Sequence, residues 1–234
     1  MCCRYVLLKD HLLEIFRALG LEPPANFSSR YNLSPGQVVP AIRTGASGAP
    51  AAAALNWGLL PAWSRLGGQR RPNARAETLA SKPSFREAFR TRRCLLPASG
   101  FYEWEVRGKA RLPWLFRRPD SRPFCLAALW EGRRMPDGSE FETCAIVTTA
   151  PNALMRPIHD RMAVVLAPEQ FGRWLDPGAN PQDLAPLMEP APEGGLSAMR
   201  VGTRVNRTSV DDEACLLPPE PGTEAGPQFS LEFA

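Results

Sequence analysis

A cysteine stands at position 2, directly behind Met1, in the opening stretch MCCRYVLLKD. Cysteine is small enough for methionine aminopeptidase to remove Met1 ahead of it. The product would carry an α-amino group (pKa about 7.7–8.0) and a thiol (about 8.5) on one carbon. Such a 1,2-aminothiol condenses with an aldehyde: the amine forms a Schiff base and the thiol closes a thiazolidine ring. Three further polar residues lie in apolar, aromatic or strongly basic surroundings. Asn73 sits in RPNARAET with Arg75 and Glu77 close behind, Glu103 in SGFYEWEV among Phe101, Tyr102 and Trp104, and His159 in RPIHDRMAVVL beside Asp160 and Arg161. Strand alternation directs Glu103 away from Tyr102 and Trp104. Burial against such rings raises a carboxyl pKa, which makes an acid useful near pH 7. Taken singly, each of the four also reads as a terminal, turn, solvent-facing or structural residue.

The elements that must position these residues follow from pattern. DHLLEIFRALG is an amphipathic helix with Leu12, Leu13, Ile15, Phe16 and Leu19 on one side and Gly20 closing it. PGQVVPAIR is a short strand, and GASGAPAAAA a loop before a second strand, LNWGLL. PAWSRLGGQRRPNARAET is polar and turn-rich, and SKPSFREAFRTR is helical after its proline. RCLLPASGFYEWEV, WLFRRPD, FCLAALWEG, ETCAIVTTA and RMAVVLAP are short β-type runs between turn residues. APEQFGRWL is a helix with Pro168 near its start, RVNRTSV a late strand, and PPEPGTEAGPQ a disordered linker. With 25 prolines and 18 glycines, a loop-rich, β-dominated fold with a few helices is expected.

The chain has 234 residues, enough for one domain with a sizeable core and a tail. No run of about 18 apolar residues exists, and no basic-then-apolar leader pattern opens the chain, so a cytoplasmic protein is expected, nucleoid-associated if bacterial. The six cysteines form no C-x-x-C pair and the histidines are only His11 and His159, which argues against a structural metal or other cofactor. The remaining cysteines then read as small buried hydrophobes. Charge is uneven: Arg65 to Arg118 carries 14 basic against 4 acidic residues, whereas Asp176 to the end carries 3 against 10. Of the 28 basic residues 25 are arginine, whose planar fork suits phosphate. A GC-rich genome explains part of that excess but not its concentration mid-chain, which is the footprint of a polyanion.

MCCRY, RYNLSPGQ, LNWGLLPAW, NARAET, RCLLPASGFYEW and IHDRMAVVL occur in the order and spacing of the SRAP family, the SOS-response-associated peptidase-like or abasic-site processing proteins. RVNRTSVDDEACLLP resembles the family's closing segment. The resemblance implies an α+β fold: a single domain over residues 2–219 with a β-barrel-like core of mostly antiparallel strands and a few flanking helices, then a flexible tail over 220–234. It implies a basic groove for single-stranded DNA and a nucleophile at Cys2, with Asn73, Glu103 and His159 completing the catalytic set. DNA-backbone contacts fall on Arg4, Arg75 and Arg161, and Asn32, Pro35, Trp63 and Trp104 complete the DNA-binding set. Two positions depart from the family pattern: Cys3 stands where glycine is usual, and Ala163 where proline is usual. The first could add a second thiol to the site.

The implied function is covalent capture of abasic sites by Cys2, through a Schiff base and then a thiazolidine, with possible lyase activity. Two rivals belong to other classes: a single-strand-binding module without chemistry, and a cysteine peptidase or autoprocessing hydrolase. The protein is expected to act as a monomer away from membranes. In the tail QFSLEFA, Gln228, Leu231 and Phe233 form Q-x-x-L-x-F, which resembles the peptides that bacterial replication and repair proteins insert into the sliding clamp. An edge strand packed on the domain is the alternative for that tail.

Overall fold

The computed structural model describes residues 2–65 and 67–221. Its strands in chain order are β1 (Tyr5–Leu7), β2 (Arg30–Leu33), β3 (Val38–Thr44), β4 (Pro50–Trp57), β5 (Asn73–Arg75), β6 (Arg93–Ala98) and β7 (Gly100–Arg107). They continue with β8 (Ala110–Arg117), β9 (Phe124–Arg134), β10 (Glu140–Thr149), β11 (Met162–Ala163), β12 (Val165–Leu166) and β13 (Ser197–Arg200). The helices are α1 (Lys9–Ala18), α2 (Arg86–Thr91) and α3 (Pro168–Leu175), with several single 3-10 turns between elements.

Five strands close on themselves in the order β3-β4-β10-β9-β6, since β10 pairs with both β4 and β9. Only the β4–β10 contact in this ring is parallel, so the α+β, mostly antiparallel barrel implied by the sequence is what forms. Closure removes the open edges that a sheet would otherwise expose. Leu55 and Trp57 of β4, Leu95 of β6, and a nearly continuous apolar run along β9 and β10 are fully buried, so both faces of those two strands are covered. A second sheet, ordered β13-β8-β7-β1-β2, leans on this barrel. The chain passes between the two through Ser99, where β6 ends and β7 begins. Gly100 is needed at that corner, because a Cβ there would lie 2.8 Å from the Phe116 carbonyl oxygen.

Asn73–Arg75 form β5, paired parallel with β10, inside a stretch expected to be turn-rich, and two further segments depart from the pattern-based expectation. Ala51–Ala54 belong to β4 rather than to a loop: they pair residue for residue with Arg43–Pro40 of β3, and the turn is confined to Gly45–Ala49. Alanine has little strand preference of its own, but pairing overrides propensity. Small side chains suit this turn, where even a Cβ on Gly45 would come within 3.0 Å of the Ala51 Cβ. RVNRTSV is not a strand; Thr203–Asn206 form one 3-10 turn, and the late strand is the preceding Ser197–Arg200. The reason lies in Asn32, whose side-chain amide donates to the carbonyls of Val205 (3.2 Å), Arg207 (2.9 Å) and Val210 (2.7 Å). Backbone acceptors satisfied by a buried side chain need no ladder partner.

Arginine performs a similar task under the helices. Arg93, 3% exposed, donates to the carbonyls of Phe89 and Arg90 at the end of α2, and to those of Trp174 and Asp176 at the end of α3. These are carbonyls that lack intrahelical partners, at the negative ends of the helix dipoles. Replacing this cation by an apolar side chain leaves them buried and unsatisfied. Arg93→Met should therefore destabilise the fold by about 2–4 kcal/mol in urea denaturation. Arg93→Lys, with fewer donors and no planar fork, should restore only part of that loss.

Candidate active site

The N-terminal segment reaches the site because β1 pairs antiparallel with β7, Tyr5 facing Phe101 and Val6 facing Gly100. The Tyr102 N–H donates to the Arg4 carbonyl at 3.0 Å, continuing that register. One step further sets Cys3 across from Glu103, and both line one cleft of about 320 Å³. Arg4, Trp104 and Val106 form one wall with Arg111, while His159 and Asn206 approach from later segments. Alternation along β7 works as expected: Tyr102 and Trp104 pack with Val6, Leu115 and Val205, and Glu103 points the other way.

Glu103 is 1% exposed, and burial pushes its carboxyl up to about 7. Its Oε2 lies 3.9 Å from Nε2 of His159. Burial also lowers the His159 pKa below its ordinary value. His159 Nδ1 lies 3.0 Å from the Arg161 backbone nitrogen and 3.0 Å from Asp160 Oδ1, while Nε2 faces Glu103. An acid and an imidazole that both favour their neutral forms are thus held side by side.

Cys2 does not line the cleft. It is fully buried, and burial raises its thiol pKa well above normal, with the Glu103 charge adding to the effect. Cys3 is half-buried and accepts a hydrogen bond from Asn73 Nδ2 at 3.5 Å, on a thiol also raised by burial. Asn73 Oδ1 is buried with no hydrogen-bond partner among the described residues. The structure therefore brings Cys2, Cys3, Asn73, Glu103 and His159 to one place.

The residues expected to contact DNA divide into two groups. Pro35 and Arg75 are exposed, and Trp63 is 68% exposed on a loop whose Pro61, Ala62 and Ser64 carbonyls are all bonded by Arg133. Trp104 borders the cleft, with its indole N–H donating to Asn206 Oδ1 at 2.6 Å. Asn32, by contrast, is fully buried and holds the closing segment, so it presents no free face to a ligand. Arg4 spends its guanidinium on Asn32 Oδ1 (2.9 Å) and on the Val205 and Asn206 carbonyls, stacking over Trp104. Arg161 forms a bidentate ion pair with Glu77 (2.7 and 2.8 Å) and also bonds the Thr148 carbonyl. Sequence reasoning missed Val106, Arg111 and Asn206. Only Asn206 had a signal, its place in the closing RVNRTSV motif.

Among the described residues no group of three or more His, Cys, Asp and Glu side chains is placed to hold a metal ion, and no helix is long and apolar enough to cross a membrane. Gln228, Leu231 and Phe233 lie outside the described residues.

The fold itself, a barrel flanked by a second sheet, is shared with a crystal structure of a Bacteroides thetaiotaomicron protein. That structure superposes with a TM-score of 0.82 at 24% identity, covering 93% of this chain and 99% of that one. Residues 1–208 match the model of the SOS response associated peptidase (SRAP) family, and the chain belongs to that family. It is 37% identical over 213 residues to the abasic site processing protein YoqW of Bacillus subtilis, covering 88% of this chain and 94% of that protein. It is 35% identical over 212 residues to YoaM of the same organism, another abasic site processing protein, covering 88% and 93%.

Glu103 leaves a thermodynamic signature. Its folded pKa of about 7 exceeds the ordinary 4.5, so folding favours the protonated acid. The stability this contributes is fully present below about pH 4.5 and is lost as pH rises through about 7. Glu103→Gln removes the penalty. It should stabilise the protein by on the order of 3 kcal/mol at pH 8 and by little at pH 4, read from denaturation midpoints across that range.

Proposed function

We propose that this protein captures abasic sites in single-stranded DNA through a covalent bond to Cys2, once Met1 has been removed. The observation that carries the reading is the buried Glu103 carboxyl, near neutral in pKa, sharing its cleft with His159 and the segment that follows Cys2. Relatives named as abasic site processing proteins support the substrate.

An abasic deoxyribose equilibrates with an open-chain aldehyde. As the ring opens, the proton of the C1′ hydroxyl passes to the ring oxygen with His159 assisting the transfer. The Cys2 α-amine adds to C1′, and protonated Glu103 delivers a proton to the carbinolamine hydroxyl, which leaves as water. The result is an iminium on C1′ and a carboxylate on Glu103. That carboxylate then takes the proton of the Cys2 thiol as sulfur adds to C1′, closing a neutral thiazolidine and restoring the acid. A thiol kept protonated by burial suits this order, because the amine attacks first and the thiol waits for a base. Asn73 Oδ1, an open acceptor beside Cys3, holds the sugar or the N-terminal amine. The iminium also acidifies C2′, so β-elimination of the 3′ phosphate is a side path and gives lyase activity.

A peptidase needs a thiolate at rest, and the raised thiol pKa of Cys2 is the opposite. Binding without chemistry is separated by one experiment: protein is mixed with a single-stranded oligonucleotide bearing one abasic site and run on a denaturing gel. Wild type should give a shifted band and Cys2→Ala none, with non-covalent affinity largely kept. Cys2→Ser keeps the amine and should give a species trapped only with borohydride. Glu103→Gln should slow adduct formation by roughly 10²–10⁴-fold. A stable adduct in Cys2→Ala, or in protein whose Met1 is retained, would overturn the reading.

A further inference from the structure

The expected DNA contacts leave a question of charge. Among the described residues two arginines line the cleft, Arg4 and Arg111. The Arg4 guanidinium is occupied by Asn32 and two backbone carbonyls. Arg161, away from the cleft lining, is neutralised by Glu77. Arg111 is exposed, and its guanidinium has no ion pair or hydrogen bond among the described residues. Its neighbours do not compete for it: Glu105 is bonded by Arg107 and by the Trp114 indole, and lies on the opposite face of the hairpin.

Arg111 is also held in place. Its carbonyl accepts from Asn206 Nδ2 at 3.2 Å, while Asn206 Oδ1 accepts from Trp104, so backbone and cleft wall are tied together. Across the β7–β8 ladder Arg111 faces Val106, and Trp104 faces Pro113, which puts all four on one face of the hairpin. Val106 is 66% exposed, one of the few large apolar side chains left in solvent. Its position on the rim of a polar cleft has no packing explanation. Arg111 lines the same cleft as His159, and its charge adds to burial in lowering that imidazole's affinity for a proton.

We propose that Val106 and Arg111, on the β7–β8 hairpin, form a nucleotide subsite beside the lesion: Arg111 takes a phosphate adjoining the abasic sugar, and Val106 with the edge of Trp104 carries the neighbouring base. This deepens the reading of the cleft as a DNA-capture site and rests on it. A cation and an apolar platform on one rigid hairpin face match the alternation of phosphate and base along a single strand. The contact is indifferent to base identity, as capture of a lesion in any sequence requires.

The test uses full-length protein and abasic oligonucleotides in which single phosphates flanking the lesion are replaced, one at a time, by neutral methylphosphonates. In wild type one such replacement should weaken binding by roughly tenfold, the scale of one charge-assisted hydrogen bond. In Arg111→Gln that replacement should have no further effect, and the log–log salt slope should flatten by about 0.7. Arg111→Lys should retain most of the slope. Val106→Ser should weaken binding several-fold with the slope unchanged. The proposal falls if Arg111→Gln binds and crosslinks as wild type does, or if every methylphosphonate effect persists in it. Free 2-deoxyribose, an aldehyde without phosphate or base, separates the two readings. If wild type forms no thiazolidine with it by intact mass and no adduct with abasic DNA, the capture reading fails. If both form and Arg111→Gln is unaltered on DNA, only the subsite fails.

Discussion

The register of β1 against β7 is the constraint on which the site depends. Three residues of β1 are held between β2 and β7, and the pairing of Tyr5 with Phe101 sets where the preceding cysteines go. A slip of one residue would turn Cys3 away from Glu103 and move Tyr5 out of the core, where it now packs edge-on against Trp57 at 5.4 Å. So the same hydrophobic burial that stabilises the strand also aims the reactive segment. The Ser99 corner serves the same end, because its N–H donates to the Val6 carbonyl at 2.8 Å and its hydroxyl accepts from the Leu8 N–H at 2.8 Å.

Around that strand, burial is the largest influence on the two titratable groups of the cleft. Glu103 is raised and His159 lowered by the same cause, loss of water. This leaves both groups near the protonation states that proton exchange at neutral pH needs. Metal or thiolate chemistry would call for the reverse, a site that stabilises charge.

The arginine-rich middle of the chain serves two purposes. Part of it is architectural: Arg92 pairs with Glu131, Arg93 bonds four carbonyls, Arg107 pairs with Glu105 and Arg118 with Asp120. The guanidinium fork suits such work because it offers several donors in fixed directions. Others, including Arg75 and Arg111, are exposed and carry the field that a polyanion meets. Trp63 adds a stacking face on a loop clamped by Arg133, so the exposed indole is presented by a fixed backbone. Net charge over the region therefore overstates the free cations.

Read alone, the chain already specified much of this. Strand and helix runs such as FCLAALWEG and APEQFGRWL carry their period and their turn residues in local order, and they became β9 and α3. The alternation around Glu103 foretold a carboxyl held apart from its aromatic neighbours, and four chemistry-bearing residues could be named from type and setting. What local pattern could not contain was who bonds whom across the fold. The Arg161–Glu77 pair spans 84 positions, and Asn32 reaches carbonyls more than 170 residues away, which turned an expected strand into a tight turn. Arg111 and Val106 had no signal of their own, since a basic and an apolar residue on a hairpin are ordinary until the cleft forms beside them. Backbone preference and hydrophobic period are short-range properties written in neighbouring residues. The partner of a charge or a carbonyl is decided only when distant segments pack, because only then is water removed and a specific acceptor left in reach.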